Sequence, residues 1–168
     1  MQALRRFDRG LAAVMQALVV ACFIALFLVV AANIVGRFTA LFSVGWLGEV
    51  VEGLFAWLVF IGAAAIWREH GHFRVEWLET MLPEGRPRRA LAVAIDLVSV
   101  AFLAVMTWQG WLLMLKAGAT TPMLSLPVAL FYAAIPIAGA IMIAYTLADI
   151  ARALAGRPAA GHGPLGDL

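Results

Sequence analysis

Four long stretches of this chain carry no charge. Residues 10–36, 53–67, 97–115 and 117–148 contain no Asp, Glu, Lys or Arg. A soluble domain has about a quarter of its residues charged; here 13% are charged and 64% are hydrophobic. Mean hydropathy is +0.96. A helix needs ~20 apolar residues to cross a hydrocarbon core of ~30 Å. The pattern predicts an all-α membrane protein with four transmembrane helices, at residues 11–35, 47–67, 91–115 and 127–150. They form one domain over residues 1–156, with a tail over 157–168 too rich in Gly and Pro to order. The second uncharged stretch is short for a bilayer unless the preceding turn is added. That turn carries Glu49 and Glu52, so these acids fall at the membrane rim. Asp96 lies about one turn inside the third span. The first apolar run far exceeds the ~7–15 residues of a signal-peptide core, so it is expected to remain as an anchor.

Basic residues set the orientation of such helices, being concentrated on the cytoplasmic side. Arg5, Arg6 and Arg9 precede the first span. Arg68, Arg74, Arg86, Arg88 and Arg89 lie between spans two and three, and Arg152 and Arg157 follow the fourth. The other two loops have one basic residue each, Arg37 and Lys116. Both termini and the middle loop are therefore expected in the cytoplasm. The pI near 9.2 reflects this topology and implies no nucleic-acid partner.

Local patterns add detail. Ala13, Ala17, Ala21 and Ala25 recur every fourth residue along the first span. Such a stripe of small side chains lets a second helix approach closely; it faces either the chain's own bundle or a partner. Asn33 and Arg37 follow at the outer end, suited to a partner or to simple anchoring. Over residues 72–82, apolar Phe73, Trp77, Leu78, Met81 and Leu82 alternate with Arg74, Glu76 and Glu79 at helical spacing. This predicts a short amphipathic helix in the cytoplasmic interface between spans two and three, facing membrane lipid. Pro127 suits the first turn of span four, where its missing N–H costs nothing. Pro136 lies inside that span, so it should kink the helix and free the carbonyl of Tyr132.

Chemistry-bearing constellations are scarce. The three histidines are His70, His72 and His162, none of them mid-span, which argues against haem ligation. A zinc site from His70, His72 and Glu76 is weaker than their reading as interfacial polar residues. The single Cys22 has no partner for an intrachain disulfide. No acid lies deep within a span, as a self-sufficient small exporter would need. No enzyme, metal site or cofactor is expected. Glu49 and Glu52 share a helix face at i, i+3. They suit the positive end of a helix dipole, and equally suit Arg37 or the basic groups of a partner subunit. Asp149 and Arg152 form a local i, i+3 pair.

Several of these residues, in order, resemble one family. They are Asn33, Arg37 and Phe38 closing span one, then Trp46, Glu49 and Trp57 in span two. Gly62, Ala63 and Ala64 follow, then Arg68 and the run Gly71-His72-Phe73-Arg74-Val75. The set ends with Thr121, Pro122, Leu124, Leu126 and Pro127, and with Phe131, Ile135, Pro136 and Gly139. This set, over residues 10 to 155, resembles the small DctQ-like membrane subunit of tripartite ATP-independent periplasmic (TRAP) transporters. Phe73 stands where that family often has an aliphatic residue, and Glu76 where it often has Asp. The resemblance implies a non-catalytic inner-membrane subunit. Its partners would be a large multi-span permease subunit that moves an organic acid with an ion gradient, and a periplasmic substrate-binding protein. It also implies that Arg37, Trp46, Glu49 and Glu52 lie at the periplasmic end near the docking surface, and Arg68, His72 and Arg74 at the cytoplasmic rim; Pro127 is a further candidate for the partner interface. The competing readings are a homodimeric carrier with Glu49 and Glu52 as coupling acids, and a membrane anchor of a redox complex.

Overall fold

The computed structural model describes residues 2–39, 45–69 and 86–155. They are helical throughout, apart from one loop. Helix α1 spans Gln2–Thr39, α2 Gly45–Arg68 and α3 Arg86–Lys116. A short α4, Ala129–Tyr132, leads into α5, Ala134–Leu154. Four segments are long and apolar enough to cross a membrane: Asp8–Phe38, Gly45–Arg68, Ala90–Lys116 and Ala129–Leu154. They correspond to the four uncharged stretches. The amphipathic helix expected over 72–82, and the tail at 157–168, lie outside the described residues.

The fourth span is interrupted where its proline requires it. Pro136 has no N–H to offer Tyr132, and the helix breaks at Ala133, between α4 and α5. Regular bonding resumes with Ile137 N–H donating to Ala133 O at 3.3 Å. A carbonyl loosened within a membrane must find another donor. Next to the break, the Trp57 indole N–H donates to Leu130 O at 3.1 Å. The neighbouring helix thus supplies a donor to a carbonyl beside the break, two residues before the Tyr132 carbonyl that Pro136 leaves.

The helices stand in a row. α1 packs along α2, α2 along α5, and α5 along α3. Met15, Ile61, Ala64, Leu103, Ala138 and Met142 form the buried centre, drawn from all four long helices. Apolar driving force is weak between helices already in lipid, so close packing must substitute for it. The α3–α5 crossing meets this with glycine. A Cβ on Gly139 would overlap the Thr107 hydroxyl, and one on Gly110 would stand 2.5 Å from Ile135 Cγ2. On α2, Phe131 fills the notch left by Gly53, where an added Cβ would be 2.7 Å from the ring.

The Ala13, Ala17 and Ala21 stripe faces outward, and Ala25 is half-buried; the chain's own contact is made by the neighbouring Ala12 and Met15. Phe23, Phe27 and Leu28 on α1, and Phe102, Val105 and Trp108 on α3, are also exposed. The chain surrounds its core thinly and presents broad apolar surfaces at membrane depth.

If close approach holds α3 to α5, Gly139→Ala should destabilise the protein by ~1–3 kcal/mol through overpacking. Thermal unfolding in detergent, followed by tryptophan fluorescence, should show a lower midpoint. Adding Thr107→Ala to the same chain should recover part of the loss, since it removes the atom the new methyl would strike.

Candidate functional site: polar clamps at the two ends of α2

Polar side chains cluster at both ends of α2, and they bind elements of this chain to one another. At the C-terminal end, Arg68 forms a two-pronged pair with Asp8 of α1. Its Nε lies 3.0 Å from Asp8 Oδ1 and its Nη2 2.6 Å from Oδ2. The Tyr145 hydroxyl of α5 donates to the same Oδ1 at 2.8 Å. One carboxylate thus joins α1, α2 and α5. The Arg68 side chain is 15% exposed and that of Asp8 37%, so water reaches the pair and moderates its strength. Between the same two segments, Gln16 Nε2 of α1 approaches Oε1 of Glu69, the residue after Arg68, at 3.4 Å. Deeper, the Trp67 indole donates to Thr146 Oγ1 at 3.0 Å, and that hydroxyl donates to Met142 O at 2.9 Å.

At the N-terminal end, Glu49 grips the loop that joins α3 to α4. Its Oε1 accepts from Met123 N–H at 2.7 Å, and its Oε2 from Leu124 N–H at 2.9 Å. Thr121 is buried and organises the loop. Its N–H donates to Leu126 O at 2.9 Å, and its Oγ1 accepts from Leu126 N–H at 3.1 Å. Ser125 takes a positive φ of 54° to close the turn. Pro127 opposes Thr120 across a short antiparallel bridge, and its carbonyl accepts from Leu130 N–H at 3.0 Å.

The residues singled out from the sequence therefore separate. Glu49 and Pro127 are joined through the 117–128 loop, and Arg68 belongs to the opposite clamp. Glu49 finds its partners in loop amides, where a helix dipole, Arg37 or an outside group had been the alternatives. Arg37 and Glu52 are exposed, and Trp46 is partly exposed beside Gly45 and the loop. His72 and Arg74 lie outside the described residues. Asp149 and Arg152 do pair, at 3.0 Å. Sequence reasoning passed over Asp8 and Tyr145. The available signal was that Asp8 is the one acid among Arg5, Arg6 and Arg9, opposite the charged end of α2. Among the described residues, no group of three His, Cys, Asp or Glu is arranged to hold a metal.

A four-span helical bundle, with polar groups gathered at its two rims and uncharged stretches between, defines a small polytopic membrane protein. Residues 26–156 match the family of tripartite ATP-independent periplasmic transporters, DctQ component. The chain belongs to that family, and so is a component of a transporter. No curated protein matches the chain.

Two outcomes follow from the clamps. Asp8→Asn and Arg68→Ala should each destabilise the protein, and the double variant should lose less than the sum of the two single losses. Unfolding midpoints in detergent should give a coupling of ~1 kcal/mol, the scale of a partly exposed ion pair. Glu49→Ala should leave the Met123 and Leu124 amides without acceptors, at a cost of ~1–3 kcal/mol. Hydrogen exchange at those amides should then quicken by about tenfold or more, while exchange in α5 stays slow.

Proposed function

We propose that this chain is the small, non-catalytic permease subunit of a TRAP-type secondary transporter in a bacterial inner membrane. It holds the large substrate-translocating subunit in place. That subunit takes up an organic acid, delivered by a periplasmic binding protein, at the expense of an ion gradient. The observation that carries this reading is the disposition of polar groups. Asp8, Arg68, Tyr145, Trp67, Thr146 and Glu49 are all engaged in tying helices and loop together. The middle of each span is uncharged. A carrier needs ionisable or polar groups that can exchange partners along a path, and a scaffold needs them spent on rigidity.

The same disposition favours one face for the large subunit. Glu52, Phe55, Val59 and Ile66 form an exposed stripe along α2. Glu52 lies sixteen residues from Arg68, ~24 Å along the helix axis, inside the ~30 Å of hydrocarbon if Arg68 marks one edge. Lipid is a poor neighbour for a carboxylate there, whereas a partner helix with a basic or hydroxyl group suits it. The exposed face of α3, with Leu97, Val98, Phe102 and Val105, has no such group and suits lipid. Arg37 and Trp46 border the same end as Glu52 and the loop. With both termini in the cytoplasm, that end faces the periplasm and the binding protein, while the Arg68 end of α2 lies at the cytoplasmic rim.

Co-expression with the neighbouring genes tests this. A tagged copy should co-purify one large multi-span protein. Photo-crosslinking side chains at Phe55 and Val59 should capture that protein, and those at Phe102 and Val105 should not. Co-purification with the opposite crosslinking pattern would refute the chosen face, and absence of any large partner would refute the function.

A further inference from the structure

The loop at residues 117–128 has an unusual economy for a surface loop. Surface connections normally leave backbone groups to water. Here twelve residues, two of them proline, carry ten N–H groups. Eight of the ten donate within the protein: those of Ala117, Gly118, Thr121, Met123, Leu124, Ser125, Leu126 and Val128. The two at the tip are taken by the Glu49 carboxylate. At the tip itself the side chains turned outward are apolar, with Met123 64% and Leu124 38% exposed, and the small hydroxyl residues Thr120 and Ser125 are exposed beside it. No residue of the segment is charged.

Its height along the bundle explains why such bonding is useful. The tip does not stand above α2; it lies beside its first turns, with Met123 Cε 3.0 Å from where a Cβ on Gly45 would be and its N–H on Glu49. Glu49 is nineteen residues before Arg68, ~28 Å along the helix axis. That is close to the ~30 Å thickness of the hydrocarbon core. At this level water becomes scarce, and an unsatisfied amide is costly. Trp46, 43% exposed at the same end, is of the type enriched at that boundary.

We propose that the 122–124 tip is a lipid anchor: Met123 and Leu124 rest in the glycerol and upper acyl region of one leaflet, and Glu49 makes this possible by satisfying the tip's amides. A protein-docking tip would be expected to offer charged groups around its apolar centre; residues 117–128 offer none, and the small hydroxyls of Thr120 and Ser125 suit the ester level of a leaflet. The leaflet is the outer one on the topology proposed above, but the lipid contact does not depend on that topology.

The test uses the full-length chain with Cys22→Ala and Met123→Cys, labelled with an environment-sensitive dye and placed in phosphatidylethanolamine–phosphatidylglycerol nanodiscs. Bromine on the acyl chain near the ester should quench the dye by about half. Bromine near the chain terminus should quench it much less, and aqueous iodide should act weakly. A label in place of Val105 should show the opposite preference between the two bromine depths. Adding Glu49→Gln should raise iodide access at position 123. The proposal fails if iodide quenches the label as efficiently as it quenches the same dye on glutathione. It also fails if, in the co-purified assembly, the label is shielded from both iodide and brominated lipid, since a protein would then cover the tip.

Discussion

Inside a bilayer no water is available to receive a stray polar group, and α2 is where this protein meets that constraint. Trp57 donates to the Leu130 carbonyl beside the proline break. Trp67 meets the Thr146 hydroxyl, Arg68 meets Asp8, and Glu49 meets the loop amides. These ties run from one helix to every other part of the described fold except α3. Helix α3 meets α5 in close contact, through Gly110 and Gly139 against α5 and Thr107. Two different physical devices, polar satisfaction and small-residue packing, thus divide the bundle between them.

The row order of α1, α2, α5 and α3 gives that division a consequence. A row exposes more surface for its size than a compact square bundle. Large apolar side chains such as Phe27 and Trp108 consequently remain on the outside. That shape suits a subunit meant to lie against a larger membrane protein, with rigidity as its contribution. Membership of the DctQ component family agrees with such a place in a transporter.

Much of this was legible in the sequence because charge is so costly in lipid that its spacing marks the spans. The four uncharged stretches correspond to the four apolar helices, and Pro136 announced the break before α5. The family could be recognised from an ordered set of motif residues. What stayed hidden depended on proximity between distant segments. Asp8 and Tyr145 are 137 positions apart, and nothing local to either announces their contact. Glu49 looked ready for a cation, since a carboxylate at a helix start is ambiguous until the fold brings backbone amides to it. The direction of the alanine stripe was likewise undecided, because small residues fit an internal and an external neighbour equally well.

If this chain's polar groups are spent on structure, as proposed, transport resides elsewhere in the complex. The most direct measurement is solute uptake into proteoliposomes with an imposed ion gradient. Three preparations would be compared: this chain alone, the co-purified assembly with its binding protein, and the assembly stripped of this chain. No flux is expected from the chain alone, gradient-driven flux from the assembly, and loss of that flux when this chain is removed. Saturable, gradient-dependent flux from the chain alone would contradict this expectation, as would undiminished flux from the stripped assembly.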